Sequence, residues 1–213
     1  MPKISVILII LINILTTEAS VRWHAGFTPG LSLVPPAPLV IRQENHESIR
    51  LWANYRSAPL KLPPYYSARL GFMDNGRGWE AELNHLKVYL KNLPEEVDRF
   101  SISHGYNQIF INRIFNAGGI NRKVGLGWVA AHPENTVRGL KLDEKKGLFG
   151  DGYYLTGPAI QYGTWKEIPL GKHFFLLAEV RISAAWATVP VVNGSASAPV
   201  VAVHLQFGPG FRL

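Results

Sequence analysis

Ala178-Glu179-Val180-Arg181-Ile182-Ser183-Ala184 alternates apolar and polar side chains at every step. Successive side chains of a strand point to opposite faces, so this period of two reads as a strand with one apolar and one charged face. The same alternation recurs in Ile49 to Arg56, Tyr66 to Phe72, Lys123 to Ala130 and Val201 to Phe207. Noisier runs over 79–91, 99–115 and 153–166 complete a set of eight. The stretches between them alternate in length. Ser57 to Pro64, Lys91 to Arg99, His132 to Gly152 and Pro190 to Pro199 are the long ones. Asp74 to Gly78, Asn116 to Gly119 and Lys166 to Lys172 are short. Long loops on one side and short turns on the other are the habit of membrane barrels. The expected fold is therefore all-β: an eight-stranded antiparallel up-and-down transmembrane barrel, with ten strands as the alternative.

Composition points the same way. Of 213 residues 47% are hydrophobic and only 17% charged, against about 25% charged in ordinary soluble domains. Such a chain is too apolar to be disordered and too poor in charge to coat a water-facing surface. A soluble lipocalin-like barrel has the same strand count but points its charged face outward, and would be richer in charge. The absence of cysteine excludes a disulfide framework, a thiolate zinc site and a Cys nucleophile.

Lys3 followed by the apolar run Ile4 to Leu15 and the small-residue stretch Thr17-Glu18-Ala19 reads as a cleavable secretory signal over 1–19. The run is too short for a membrane-spanning helix, which needs about 20 residues. Removing Lys3 with Glu18 leaves the net charge at +7. Export makes nucleic acid an unsuitable partner and directs this positive charge toward anionic lipid. Residues 20–47 carry no clear period and read as an extra strand, a plug or a periplasmic segment. The barrel is expected over 48–213, acting as a monomer.

With the apolar phase facing lipid, Arg50, Asn54, Arg56, Arg69, Glu80, Glu82, Glu179, Arg181 and Gln206 are expected in the lumen. An eight-stranded barrel is filled by its own side chains, so Glu80, Glu82 and Glu179 read either as part of a neutralising salt-bridge network or as a paired-carboxylate acid/base site. In the third run Trp79, Ala81 and Leu83 set one phase and Leu86, Val88 and Leu90 the other. A strand changes phase only through an inserted residue, which predicts a bulge near Asn84–His85.

Loop alternation also places three histidines from three strands at similar depth. His85 lies six residues before Lys91, His104 five after Arg99, and His132 two before Glu134. Histidine with a carboxylate suits a transition metal or a proton-transfer pair. His85, His104, His132 and Glu134 are thus the expected ligands of a divalent metal ion and the expected acid/base groups. His24, His46, His173 and His204 share no such depth. Arg138, Lys141, Lys145 and Lys146 in the longest loop lie where the phosphates of lipopolysaccharide would sit, with Asp143 and Glu144 offsetting them.

Three stretches carry a family resemblance: Pro63-Pro64-Tyr65-Tyr66-Ser67-Ala68-Arg69, Asn84-His85-Leu86-Lys87-Val88-Tyr89, and Asp98-Arg99-Phe100 through Asn107. They resemble segments of the rhizobial lipid A oxidase-like outer-membrane proteins. The resemblance implies a small outer-membrane barrel that oxidises the proximal glucosamine of lipid A to an aminogluconate unit with dioxygen. It adds Lys87 and Asn107 to the catalytic candidates, since with His85 they match the family words. His104 stands where those words carry an acidic residue, and Phe211-Arg212-Leu213 departs from the usual terminal aromatic. Lipid A and outer-membrane lipid are the expected partners. The alternative function is a non-catalytic barrel with a structural or surface-interaction role.

Overall fold

The computed structural model describes residues 21–148 and 150–213; the signal segment expected over 1–19 lies outside them. Among the described residues twelve strands form one sheet. They are β1 (Arg22–Leu33), β2 (Ala37–Gln43), β3 (Ile49–Ala53), β4 (Tyr55–Arg56), β5 (Tyr66–Asp74) and β6 (Arg77–Leu90). The others are β7 (Val97–Ala117), β8 (Ile120–Val137), β9 (Leu140–Lys141), β10 (Tyr154–Pro169), β11 (Phe174–Val191) and β12 (Gly194–Arg212). The order β1-β5-β6-β7-β8-β10-β11-β12 closes on itself, because β12 also pairs with β1, as at Leu31↔Leu205. Every pair is antiparallel. Closure pairs the eight staves around the ring, the condition under which strands cross a bilayer.

Two of the eight staves are interrupted. β1 and β2 run in the same direction along β12, separated by Val34-Pro35-Pro36. β3, β4 and β5 together descend beside them, separated by a nine-residue excursion, 57–65. So the runs 48–56 and 66–72, expected as two strands, are parts of one stave. Residues 22–43, with Pro29, Pro35, Pro36 and Pro38 breaking their period, supply the stave beside it. Proline has no N–H for the ladder, which places both breaks at proline-rich stretches. The long connection expected over Pro190–Pro199 is instead a tight turn at Val192–Asn193, where Asn193 takes a positive φ of 55°.

Outside, Leu70, Trp79, Ile111, Leu126, Val180 and Phe207 form part of an exposed apolar belt. Inside, at the level of the belt, the expected charges Arg69, Glu80, Glu82, Glu179 and Arg181 and the polar Gln206 are buried, joined by Lys123. Lys123 Nζ lies 2.6 Å from Glu82, 2.9 Å from Glu179 and 3.3 Å from Glu80. Arg181 pairs with Glu82 and Arg69 with Glu179. Three carboxylates thus face three cations, which offsets the cost of burying either set. His24 bonds Glu80 and His204 bonds Tyr65 and Ser183. These two histidines therefore belong to the lumen network.

Arg50, Asn54 and Arg56 depart from expectation. They are exposed outside, while Ile49, Ala53 and Tyr55 point inward. This part of the stave pairs with β2 and the end of β6, beyond the belt. There the outer face meets water, and the interior is apolar, with Leu39, Ile41, Leu86, Val88, Phe100 and Val189 in one cluster. One barrel therefore carries two polarities, polar-inside in lipid and apolar-inside above it. An arginine at Leu126, whose side chain is 66% exposed in the belt, is expected to destabilise the barrel by about 2–4 kcal/mol. Urea unfolding of the L126R variant in lipid vesicles measures this.

Candidate functional site on the outer wall

β6 keeps one facing throughout, with Glu80, Glu82, Leu86, Val88 and Leu90 all buried inside. The inserted residue expected near Asn84–His85 is absent, because the interior turns from polar to apolar along the strand. The bulge lies instead on the partner strand β7, opposite Lys87. Leu86 pairs with Tyr106 and Val88 with Ile102, so Lys87 alone faces Ser103-His104-Gly105. On the other side Ile102 pairs with Pro133 and Tyr106 with Ala131, so His132 alone faces the same three residues. β7 thus carries a triple bulge flanked by Lys87 and His132. Gly105 permits it: its φ is +143°, and a Cβ there would lie 2.5 Å from the Asn107 side chain.

Trp128, Ala130, His132 and Glu134 share one phase of β8, and Trp128 is 57% exposed in the belt. His132 and Glu134 therefore point outward, yet both are buried. The connection between β9 and β10 covers them. Tyr153 meets the His132 ring edge-on at 5.1 Å, and its hydroxyl donates to the His104 carbonyl at 2.9 Å. Gly152, at φ +73°, passes so close that a Cβ would lie 2.4 Å from His132 Nε2.

Glu134 is the centre of the group. Its Oε1 lies 2.6 Å from His104 Nδ1 and accepts from Ser103 Oγ, while its Oε2 pairs with Arg99. The rings of His104 and His132 are 4.8 Å apart. One ligand atom each from His104, His132 and Glu134 falls within 4.8 Å of the others. His85 lies beside this trio but outside it. Its Nδ1 is 2.7 Å from Asn107 Oδ1, and its ring stacks on Tyr66 at 5.3 Å. His85 Nε2 and His132 Nδ1 are buried without a hydrogen-bond partner among the described residues. Lys87 Nζ donates to the Lys61 carbonyl at 3.1 Å. Chemically, the wall offers two imidazoles and a carboxylate able to bind a cation or move a proton, with cationic side chains on either side.

The six expected site residues thus fall on one outward patch of β6, β7 and β8. Ser103, Arg99, Tyr153 and Gly152 were not expected there. Arg99 and Ser103 sit in an irregular stretch whose facing depends on the bulge. Tyr153 and Gly152 return from a connection whose path no strand period encodes.

AlkL, an outer-membrane protein solved in lipid bilayers, superposes with a TM-score of 0.50 at 14% identity, over 93% of this chain and 92% of that one. Ail of Yersinia pestis aligns at 11% identity over 91% of this chain and 97% of its own, with a TM-score of 0.40. The outer-membrane protein OprG from Pseudomonas aeruginosa gives 12%, 91%, 95% and 0.39 for the same quantities. No protein-family model matches the chain, and no curated protein does. The fold is that of small outer-membrane barrels. An antiparallel barrel with an apolar outer belt is the form in which chains cross the Gram-negative outer membrane, and this chain is placed there.

Proposed function

We propose that this barrel oxidises lipid A, acting on the proximal glucosamine from the outward patch around Glu134. The observation that carries the reading is the patch itself: titratable groups on the lipid-facing side of the wall, just beyond the apolar belt, where glycolipid headgroups lie. The family words at His85, Lys87 and Asn107 supply the reaction class.

His104, His132 and Glu134 form a two-histidine, one-carboxylate donor set, the combination that suits a non-haem ferrous ion. The buried, unpartnered Nδ1 of His132 is a free donor atom of the kind such an ion takes. When bound, the ion supplies one-electron chemistry with dioxygen. The chain's own groups do the rest. The exposed Arg99 draws in the anionic headgroup, with the buried Lys87 adding positive charge behind the wall, and the His85–Asn107 pair offers a hydrogen bond to a sugar hydroxyl. The substrate needs a free anomeric hydroxyl. Its C1–H and O1–H bonds break, two electrons and two protons pass to dioxygen to give hydrogen peroxide, and C1 becomes the carbonyl of a lactone. Water then opens the lactone to the aminogluconate.

The test uses the refolded barrel with ferrous ion and a lipid A lacking the 1-phosphate. Dioxygen uptake matched by peroxide and by a lipid gaining one oxygen atom is the expected result. Turnover that is the same with and without the barrel would overturn the reading. Gly152→Val introduces both strain and a collision with His132, and is expected to weaken ferrous-ion binding about tenfold. Metal titration of the folded variant measures that change.

A further inference from the structure

We infer that a groove on the outer wall, opposite the direction of the Glu134 patch from the proline-rich excursion, binds one acyl chain of lipid A, with the anionic headgroup resting on the exposed Lys61. The identity of the lipid rests on the reading above; the groove itself does not.

Its geometry follows from ladder pairing. Leu31 pairs with Leu205, Leu205 with Val180, and Val180 with Thr164. This row of outward side chains is one bank of a cavity of about 800 Å³. The neighbouring row of partners, from Phe207 through Ala178 to Lys166, forms the other bank. Backbone at Gly30 and Gln206 lines the cavity between the two rows. The groove continues to Ile120 at the inner end of β8, four strand spacings away, or about 19 Å at about 4.8 Å each. It is therefore narrow, long and apolar, and it opens on the lipid-facing belt.

Its other end is closed by the excursion. β1 pairs with β5 only as far as Pro29↔Tyr66, above which residues 57–65 replace the ladder. Pro59 and Leu60 line the groove there, and Leu60 is 83% exposed. The next residue, Lys61, lies with its Nζ 5.1 Å from the Tyr89 ring, and its carbonyl holds Lys87 Nζ. Apolar surface thus passes within one residue into an exposed cation, Lys61, with the buried Lys87 ammonium behind it. That is the polarity of an anionic lipid entering from the outer leaflet, tail along the groove and headgroup at the excursion. From there the headgroup also reaches β6, the strand that carries His85.

Native mass spectrometry of the refolded barrel in detergent, with purified lipid A, tests the assignment. One tightly retained lipid A is expected. Leu60→Asp and the groove-filling Leu205→Trp should each weaken binding at least tenfold, and Ile160→Ala, on the belt outside the groove, should leave it unchanged. De-O-acylated lipid A should bind at least tenfold more weakly than the intact lipid. Groove variants that keep full affinity while showing the folded mobility on gels would overturn the proposal, as would equal binding of the de-O-acylated form. Retained lipid in wild type and in Glu134→Gln, lost in the groove variants but never oxidised, would uphold the groove and overturn the oxidase reading.

Discussion

Glu134→Gln is expected to lower lipid A oxidation by on the order of 100-fold while leaving the barrel folded. The substitution keeps the size of the side chain and removes its charge. Three neighbours lose their common partner: His104, Ser103 and Arg99 all meet this carboxylate. A metal donor set also loses its only anionic member, and disturbing even the groups behind such a set costs 10–100-fold. The residue lies on the outer wall, outside the ion-pair network of the lumen, so stability should change little. Initial rates of oxygen uptake, read beside the heat-dependent gel mobility of the folded barrel, separate the two effects. A variant retaining full activity would remove Glu134 from the site.

Glu82→Ala should do the opposite. Glu82 touches Lys123 at 2.6 Å, Gln161 at 2.8 Å, Asn112 at 3.0 Å and Arg69 at 3.7 Å, and pairs with Arg181. Its loss leaves three buried cations facing two carboxylates. Breaking a buried pair from one side costs about 3–5 kcal/mol, because the remaining charge has no water to turn to. Urea unfolding in vesicles should show a loss of that size, whereas alanine at the exposed Glu95 should stay within about 0.5 kcal/mol. A small effect at Glu82 would mean that water reaches the network.

The pair of variants marks what the amino-acid order discloses and what it hides. Val180 and Ile182 alternating with Glu179 and Arg181 disclose both the strand and its facing, because lipid outside and a filled lumen inside leave one consistent assignment. The same rule failed at Arg50 and Arg56. Alternation reports that a strand has two faces, but which face is outward depends on whether lipid or water surrounds it, and β3 stands above the lipid. Residues 22–43 were opaque for a different reason: Pro29, Pro35, Pro36 and Pro38 break the period while the stave continues along β12. At the site, the common depth of His85, His104 and His132 could be counted from the connections. The division among them could not. His85 goes to Asn107, and His104 joins His132 and Glu134, because three bulged residues of β7 shift the register by a local backbone device. Tyr153 and Gly152 close the site from a connection whose route is set by tertiary packing alone.

The outward patch is claimed to act on the glycolipid beside it, and lipid A extracted from a Gram-negative host reports on this directly. With the host's lipid A bearing a free anomeric hydroxyl, expression of the barrel is expected to convert part of it to a species heavier by one oxygen atom. Glu134→Gln at equal outer-membrane abundance should leave it unconverted. Lipid A of unchanged mass in the presence of abundant, folded wild-type barrel would contradict the account and leave a non-catalytic surface protein in its place.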